Sequence, residues 1–217
     1  MMRVSSARWT RSLLLALASR LLEVQAVLLG RTVSYLAFGS NMHPAVLTRK
    51  RSVVPVSQMP AAADGWRLGF SLRGGGAEPS FASAEPDARR TLYGVLFELE
   101  ALDWAKVCAT EGVPFGYVTL PIRCRPLDAD GRPDFRRPAE LAWTLTASPG
   151  PARIADEGDE PRPSERYLSY LRDGARLSGL PAHWRSHLDG LSRDPAAPTA
   201  VDPADAAWLA EAGYEQS

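Results

Sequence analysis

The chain has 217 residues, of which 45% are hydrophobic and 23% are charged, and its formal net charge is zero. This is enough apolar material for the core of one soluble domain, which is the organisation we expect. The balanced charge argues against the broad basic face that binding to nucleic acid or to an acidic membrane requires.

The chain has two cysteines, Cys108 and Cys124. Two cysteines are too few for a disulfide scaffold, and their spacing matches no paired metal-ligand pattern. We therefore predict free thiols in a reducing compartment, and a single bridge between the two stays open as an alternative.

Residues 1–31 differ from the rest of the chain. They are rich in arginine and serine and surround a short apolar run at residues 13–18. Arg20 and Glu23 end this run well before the roughly 20 apolar residues that cross a bilayer, so no membrane span is predicted. Three interpretations stay open: an organellar presequence, a secretory signal, or an extension from a start codon assigned too early. We favour the last because no clear cleavage site is present.

The first predicted strand leads into the candidate ligand loop. A run of β-forming residues that begins at Val33 breaks abruptly into Gly39, Ser40 and Asn41, a pattern typical of a buried strand that ends in a tight polar loop. Gly39 has no Cβ, so the backbone can turn sharply and approach a bound group, while the next two residues add short side-chain donors. We expect this loop to hold a carboxylate; the alternative is an ordinary exit from a strand.

The middle of the chain is predicted to be rich in strands. After a connector at residues 43–64 with a short helical turn, strands are predicted at residues 65–72, 80–84, 91–99, 115–125 and 141–147. The glycine-rich loop at 73–76 lacks the Gly-Lys-Ser/Thr ending that cradles phosphates. The acidic turn within 126–138 lacks the spacing of an EF-hand, so no calcium site is predicted.

A short helix is predicted at residues 100–108, and it ends near Glu111 and Gly112. Its expected inward positions are Leu99, Leu102, Ala105 and Val107. Glu111 lies between a helix end and a strand, where functional side chains often project from a rigid frame. A carboxylate there can accept a proton in one step and return it in the next. The alternative is an exposed acid at a helix end.

The last third of the chain is predicted to be helical. Ser164 is a favourable N-cap for one helix, Pro181 opens a second, and Asp202 with Pro203 is expected to start a third. The expected inward residues are Tyr167, Leu168, Leu171 and Ala175 in the first helix and Trp184, Leu188 and Leu191 in the second.

Neither a metal site nor a nucleophilic residue is predicted. His183 and His187 have a spacing that can bind zinc, but Trp184 stands where a zinc-protease pattern requires glutamate, so we predict a surface helix face. Cys108 and Ser40 have no histidine nearby in sequence, which argues against nucleophilic catalysis.

Four blocks of the sequence, in order, resemble the γ-glutamylcyclotransferase family. The family's signature Y-x-x-Y-G-S-N is similar to residues 35–41, its G-V strand to residues 94–99, its catalytic glutamate block to residues 102–117, and its P-S-x-x-Y…G-A…G-L-P segment to residues 163–181. Phe38 departs from the tyrosine of the loop signature, which removes a hydroxyl group but keeps an aromatic wall.

This resemblance implies an α+β fold, a small mixed β-barrel with flanking helices. It also implies a reaction without metal or cofactor, in which the γ-glutamyl group of a γ-glutamyl amino acid or amine cyclises to 5-oxoproline and the amine is released. Glu111 matches the catalytic glutamate. The residues that match substrate-binding positions are Leu36, Ala37, Phe38, Gly39, Ser40, Asn41, Tyr117 and Tyr167. For the two tyrosines, a partly buried structural role is the competing interpretation.

Two other functions stay open. The glutathione-specific relatives usually carry Y-G-S-L and the γ-glutamylamine type Y-G-T-L, so Asn41 favours γ-glutamyl dipeptides over glutathione. An alternative from another class is a non-catalytic binding or regulatory module that keeps the fold, and Phe38 leaves room for it.

We expect three segments: an N-terminal extension at residues 1–31, one cyclotransferase-like domain at 32–194 and a C-terminal tail at 195–217. The expected partner is a small-molecule γ-glutamyl substrate, with no nucleic acid and no membrane, and a homodimer is left open. A cytoplasmic location is expected, with organellar targeting by the extension as the alternative.

Overall fold

A closed barrel of five strands forms the centre of the computed structural model, which describes residues 32–75, 78–151, 153–154, 161–200 and 202–214. The strands are β1 (Val33–Ala37), β2 (Ser57–Arg73), β3 (Ser80–Leu99), β4 (Tyr117–Pro126) and β5 (Glu140–Ala147). Their order around the barrel is β1-β3-β2-β4-β5. Neighbouring strands are antiparallel except β1 and β5, which pair in parallel and close the barrel. The predictions for residues 1–31 lie outside the described residues.

Helices flank the barrel, one of them between β3 and β4 and three after β5. They are α1 (Ala101–Thr110), α2 (Glu165–Leu177), α3 (Ala182–Asp189) and α4 (Pro203–Glu211), with a 3-10 turn at Ser40–Met42 and a short π-helix at Ala45–Lys50. The predicted fold, a small mixed β-barrel with flanking helices, is therefore confirmed.

Two of the predicted strand boundaries are wrong. Residues 80–84 and 91–99 belong to one strand of 20 residues, and β2 begins eight residues before the predicted position 65. Residues 86–90 separate the two predicted strands. They are mostly solvent-exposed and their composition resembles that of a turn, but they belong to β3. Gly65, with φ +83°, lies at a register shift between β2 and β3, where a bulge lets the long hairpin bend.

The inward face of α1 also differs from the prediction. Leu102 is 68% exposed and Ala105 is exposed, whereas the helix buries Ala101, Trp104, Val107 and Cys108. Trp104 sets the orientation of the helix because its large ring packs against Tyr35 on β1, with the ring centroids 5.1 Å apart.

Two glycines allow other elements to approach the loop that follows β1. A Cβ added to Gly94 on β3 would lie 2.2 Å from the carbonyl oxygen of Ala37, and one added to Gly174 on α2 would lie 2.8 Å from the amide nitrogen of His43. Neither position has room for a larger side chain. Strand β3 and helix α2 therefore pack directly on the backbone on either side of residues 38–42.

The helical end of the chain agrees with the sequence. The hydroxyl of Ser164 caps α2 by accepting a hydrogen bond from the Tyr167 amide at 2.9 Å, and Asp202 caps α4 through the Ala204 amide at 3.0 Å. All four predicted inward residues of α2 are buried, as are Trp184 and Leu188 of α3. Leu191 lies beyond the end of α3 and is partly buried.

Cys108 and Cys124 are buried, and neither forms a disulfide bond with a described residue. Within the described ranges, no group of three or more His, Cys, Asp or Glu side chains could hold a metal ion. The rings of His183 and His187 instead pack against Tyr93 and Trp184, at centroid distances of 4.8 and 4.9 Å. In the same part of the chain, no helix is both long enough and apolar enough to span a membrane.

Candidate active site

A cavity of about 270 Å³ lies where β1 ends, beside the loop of residues 38–41. The predicted site residues that line it are Phe38, Gly39, Ser40, Asn41, Glu111, Tyr117 and Tyr167. Small-molecule sites usually enclose about 300–1,000 Å³, so this cavity suits a compact metabolite rather than a nucleotide-sized cofactor. The fold thus brings three separate sequence blocks to one place.

Leu36 and Ala37, which the resemblance also placed at the site, pack into the core instead. Side chains alternate along a strand, so Leu36 points away from the face that carries Tyr35 and joins a separate core cluster. Its carbonyl oxygen accepts a hydrogen bond from Thr144 Oγ1 at 2.8 Å. Ala37 is fully buried in the main core next to Gly94.

The loop of residues 38–41 forms a tight turn that lies against Tyr167 on the opposite side of the cavity. Met42 N–H donates to Gly39 O at 3.1 Å and His43 N–H donates to Ser40 O at 3.0 Å, which makes residues 40–42 one turn of 3-10 helix. The amides of Ser40 and Asn41 lie in the first turn, before the first of these hydrogen bonds. A Cβ on Gly39 would come within 3.3 Å of the Tyr167 hydroxyl, so glycine keeps the loop close to this tyrosine.

Glu111, at the C-terminal end of α1, is held by two side chains. Asn41 Nδ2 donates to Glu111 Oε1 at 2.8 Å, and Arg51 Nη2 donates to the same oxygen at 2.6 Å. Arg51 Nε also donates to Asn41 Oδ1 at 2.6 Å, while the amide of Asn41 donates to Tyr35 Oη at 2.9 Å. These contacts set the orientation of the Asn41 amide and of the Glu111 carboxylate together.

The second carboxylate oxygen of Glu111 accepts no hydrogen bond from any described residue. The side chains of Glu111 and Arg51 are 14% and 15% exposed, so the ion pair lies in the cavity wall rather than on the open surface. One oxygen is therefore fixed by the protein, and the other is available to a bound molecule.

The two predicted tyrosines bind the backbone of Ala82 on β3. Tyr117 Oη donates to Ala82 O at 2.7 Å, and Tyr167 Oη accepts from Ala82 N–H at 3.1 Å. Burial raises the pKa of Tyr117 well above its ordinary value and that of Tyr167 to about 12, so both phenols are neutral near pH 7. No direct hydrogen bond joins them to Glu111 in the described structure, where Asn41 and Arg51 orient the carboxylate.

The sequence did not point to Arg51 or Tyr35 as site residues. Arg51 is one of three consecutive basic residues in a connector, which carries no chemical signal without the fold. Tyr35 is the first tyrosine of the loop signature, and its hydroxyl reaches Asn41. Burial and the nearby Glu111 carboxylate raise the pKa of Tyr35 above its ordinary value, so it too is neutral.

The chain is similar to two curated fungal proteins. It is 31% identical over 176 residues to γ-glutamyl cyclotransferase aclK of Aspergillus oryzae, a match that covers 73% of this chain and 60% of that protein. It is 27% identical over 175 residues to γ-glutamyl cyclotransferase gliK of Aspergillus fumigatus, over 72% of this chain and 61% of the relative. The chain thus spans about 60% of the length of these two proteins. No family model matches the sequence.

The same fold occurs in solved structures. A structure described as a γ-glutamyl cyclotransferase superimposes with a TM-score of 0.66 at 14% sequence identity, over 83% of this chain and 99% of that one. At that identity the structural match shows the fold alone. The similarity to the fungal proteins is a similarity of sequence. The chain thus has the barrel fold of a γ-glutamyl cyclotransferase, and its sequence is similar to two proteins of that name.

Proposed function

We propose that this chain is a γ-glutamylcyclotransferase, which converts the γ-glutamyl group of γ-glutamyl amino acids or amines to 5-oxoproline and releases the amine. The observation that carries the proposal is the Glu111 carboxylate, held by Asn41 and Arg51 in the wall of a small cavity beside the loop of residues 39–41. The names of the two fungal relatives support the same reaction.

The loop would hold the α-carboxylate of the substrate. Successive backbone amides of a tight turn, together with short polar side chains, form a concave site that favours an anion. Ser40 and Asn41 supply both kinds of group, and Gly39 lets the substrate approach the backbone closely. A carboxylate bound there places the rest of the glutamyl chain in the cavity with Glu111.

The reaction needs one proton carrier and a folded substrate. The neutral α-amino nitrogen attacks the γ-carbonyl carbon of the same molecule and forms the bond that closes the five-membered ring, and Glu111 accepts the proton that this nitrogen loses. The bond between the γ-carbon and the amine nitrogen then breaks, and Glu111 returns the proton to the departing amine. Because nucleophile and electrophile belong to one molecule, much of the acceleration can come from holding a cyclised conformer.

Arg51 and Asn41 would act as positioning residues. Both donate to Oε1, which leaves Oε2 of Glu111 to exchange the proton with the substrate. The neutral hydroxyls of Tyr117 and Tyr167 would support the wall of the cavity through Ala82 and would not act as bases.

The proposal is tested by 5-oxoproline release from γ-glutamyl-alanine, glutathione and γ-glutamyl-lysine, with the full chain treated with a chelator. We expect release from γ-glutamyl-alanine to exceed that from glutathione, because the loop carries Asn41. Release from glutathione alone would indicate the glutathione-specific type. No release from folded protein that still binds a γ-glutamyl compound would contradict the proposal and favour a binding module.

A further inference from the structure

A second depression, called here the outer groove, adjoins the cavity and shares Ser40, Phe81 and Tyr167 with it. Its volume is about 560 Å³, twice that of the cavity. In the proposed reaction the glutamyl part must lie beside Glu111, while the amine leaves from the far side of the γ-carbon. The outer groove is therefore the adjoining space into which the amine part of the substrate can extend.

Two cations of the outer groove are more exposed than the acids that pair with them. Lys50 is 37% exposed and its partner Asp205 is 1% exposed, with Nζ 2.5 Å from the carboxylate. Arg166 is 34% exposed and its partner Glu78 is 12% exposed, at 2.7 Å. Asp205 thus lies beneath Lys50. Glu78 lines the groove beside Arg166, but both of its oxygens are engaged, Oε1 by Arg166 and Oε2 by the Ser164 hydroxyl.

Both cations keep hydrogen-bond donors that their partners do not use. Lys50 Nζ has three N–H groups and contacts Asp205 and Tyr170 Oη, the latter at 2.9 Å. Arg166 has five N–H groups, and Nε and Nη2 contact the single oxygen Oε1 of Glu78. Within the described part of the chain, the remaining donors have no acceptor and are open to an anion.

Asp202 is the exposed acid at the edge of the outer groove, and both of its oxygens are engaged. Oδ1 accepts from the Ala204 amide at 3.0 Å as the cap of α4, and Oδ2 accepts from Arg49 Nη2 at 3.3 Å. Its negative charge is therefore paired outside the groove, since Arg49 is not part of the lining. The donors that a bound molecule would meet in the groove are those of Lys50 and Arg166.

We infer that the outer groove binds the leaving amine and that Lys50 and Arg166 bind a carboxylate carried by that amine. This inference rests on the proposed function and adds a choice between substrates: an amine that carries a carboxylate is accepted better than the same amine without one. Phe81 and Tyr167, whose rings pack edge to face at 5.4 Å, line both compartments where they adjoin.

The test uses two substrates that differ only in this carboxylate, γ-glutamyl-alanine and γ-glutamyl-ethylamide. With the full chain, kcat/KM for γ-glutamyl-alanine should be about 5- to 30-fold higher, the range for one or two partly exposed charged hydrogen bonds. Arg166→Met and Lys50→Met should each lower this ratio toward one by slowing γ-glutamyl-alanine alone. Arg166→Lys and Lys50→Arg, which keep the charge, should retain most of it.

Arg136→Met is the matched control, because Arg136 is 83% exposed and lies outside the outer groove; it should leave the ratio unchanged. A ratio near one in the unmodified protein, with both substrates turned over, would overturn the inference and leave the proposed function intact. A high ratio that survives in both methionine variants, with their melting temperatures retained, would also overturn it. No turnover of either substrate would overturn the proposed function and this inference together.

Discussion

The cavity and the outer groove each contain ion pairs, but the pairs differ in which partner is exposed. In the cavity, Arg51 and Glu111 are 15% and 14% exposed, so the charges are sheltered equally and the pair fixes the position of a reactive carboxylate. In the outer groove, Lys50 is 37% exposed above an almost fully buried Asp205, so the pair presents a positive charge. An ion pair thus fixes the position of a carboxylate in the cavity, whereas in the outer groove it leaves a cation exposed to a bound molecule.

The substitution with the largest expected effect on this comparison is Arg51→Met in the cavity. The substitution removes one of the two hydrogen bonds to the Glu111 carboxylate and the one that holds Asn41 Oδ1. Misplacement of a reacting group by about 1 Å can cost roughly 100-fold in rate. We therefore expect kcat for γ-glutamyl-alanine to fall about 100-fold, and steady-state kinetics measures it. Arg51→Lys keeps the charge but cannot reach both partners as the planar guanidinium does, so it should give an intermediate rate. An unchanged kcat in Arg51→Met would remove Arg51 from the mechanism.

Asp205→Asn should show the opposite pattern, with loss of stability rather than of rate. Asp205 pairs with Arg49 and Lys50 and accepts a hydrogen bond from Tyr170 Oη, and these contacts join α4 to the rest of the domain. Because the variant removes the charge that both cations pair with, we expect a loss of about 1–3 kcal/mol of unfolding free energy. Urea denaturation measures the loss. The rate with γ-glutamyl-ethylamide should stay unchanged, and a large fall in that rate would mean that the two regions are not separate.

Tyr167→Phe tests the wall that the two regions share. It removes the acceptor for the Ala82 amide, which should lower the unfolding free energy by about 1 kcal/mol. The phenyl ring keeps the wall in place, so we expect kcat/KM to fall only a few-fold with both substrates of the matched pair. A loss confined to one substrate would assign Tyr167 to a single compartment.

The smallest expected effect is on alkaline stability. The pKa of Tyr167 is raised by burial from about 10 in the unfolded chain to about 12 in the folded protein. The unfolded state loses the phenolic proton first. The contribution of the neutral Tyr167 phenol to the free energy of unfolding is therefore fully present below about pH 10 and is lost as the pH rises through about 12. Denaturation at pH 9 and pH 11 should show this fall, and it should be smaller in Tyr167→Phe. An equal fall in both proteins would assign the alkaline loss to other groups.

The family resemblance predicted the fold class. Local patterns predicted the caps at Ser164 and Asp202 and the tight turn of residues 39–41. They missed the continuity of β3, since the exposed middle of that strand has the composition of a turn. They also missed the inward face of α1, where Trp104 and not Leu102 packs on the barrel.

For the candidate site, sequence reasoning reached the residues that stand in recognisable blocks and missed those that act through distant contacts. Arg51 contacts Glu111 across 60 positions of the chain, a relation that no local pattern contains. Tyr117 and Tyr167 were expected to bind substrate. Their hydrogen bonds to Ala82 join β4 and α2 to β3, elements far apart in sequence, so they too required the fold.

The measurement that tests the central claim most directly is 5-oxoproline release by Glu111→Gln, compared with the unmodified protein, on γ-glutamyl-alanine. Glutamine has nearly the same shape but cannot accept and return a proton, so turnover should be abolished while the variant is still stabilised by bound γ-glutamyl-alanine. This result would assign the proton transfer to Glu111 and leave binding to the loop of residues 39–41. Turnover at the rate of the unmodified protein would contradict the account, because the proton transfer would then not depend on the Glu111 carboxylate.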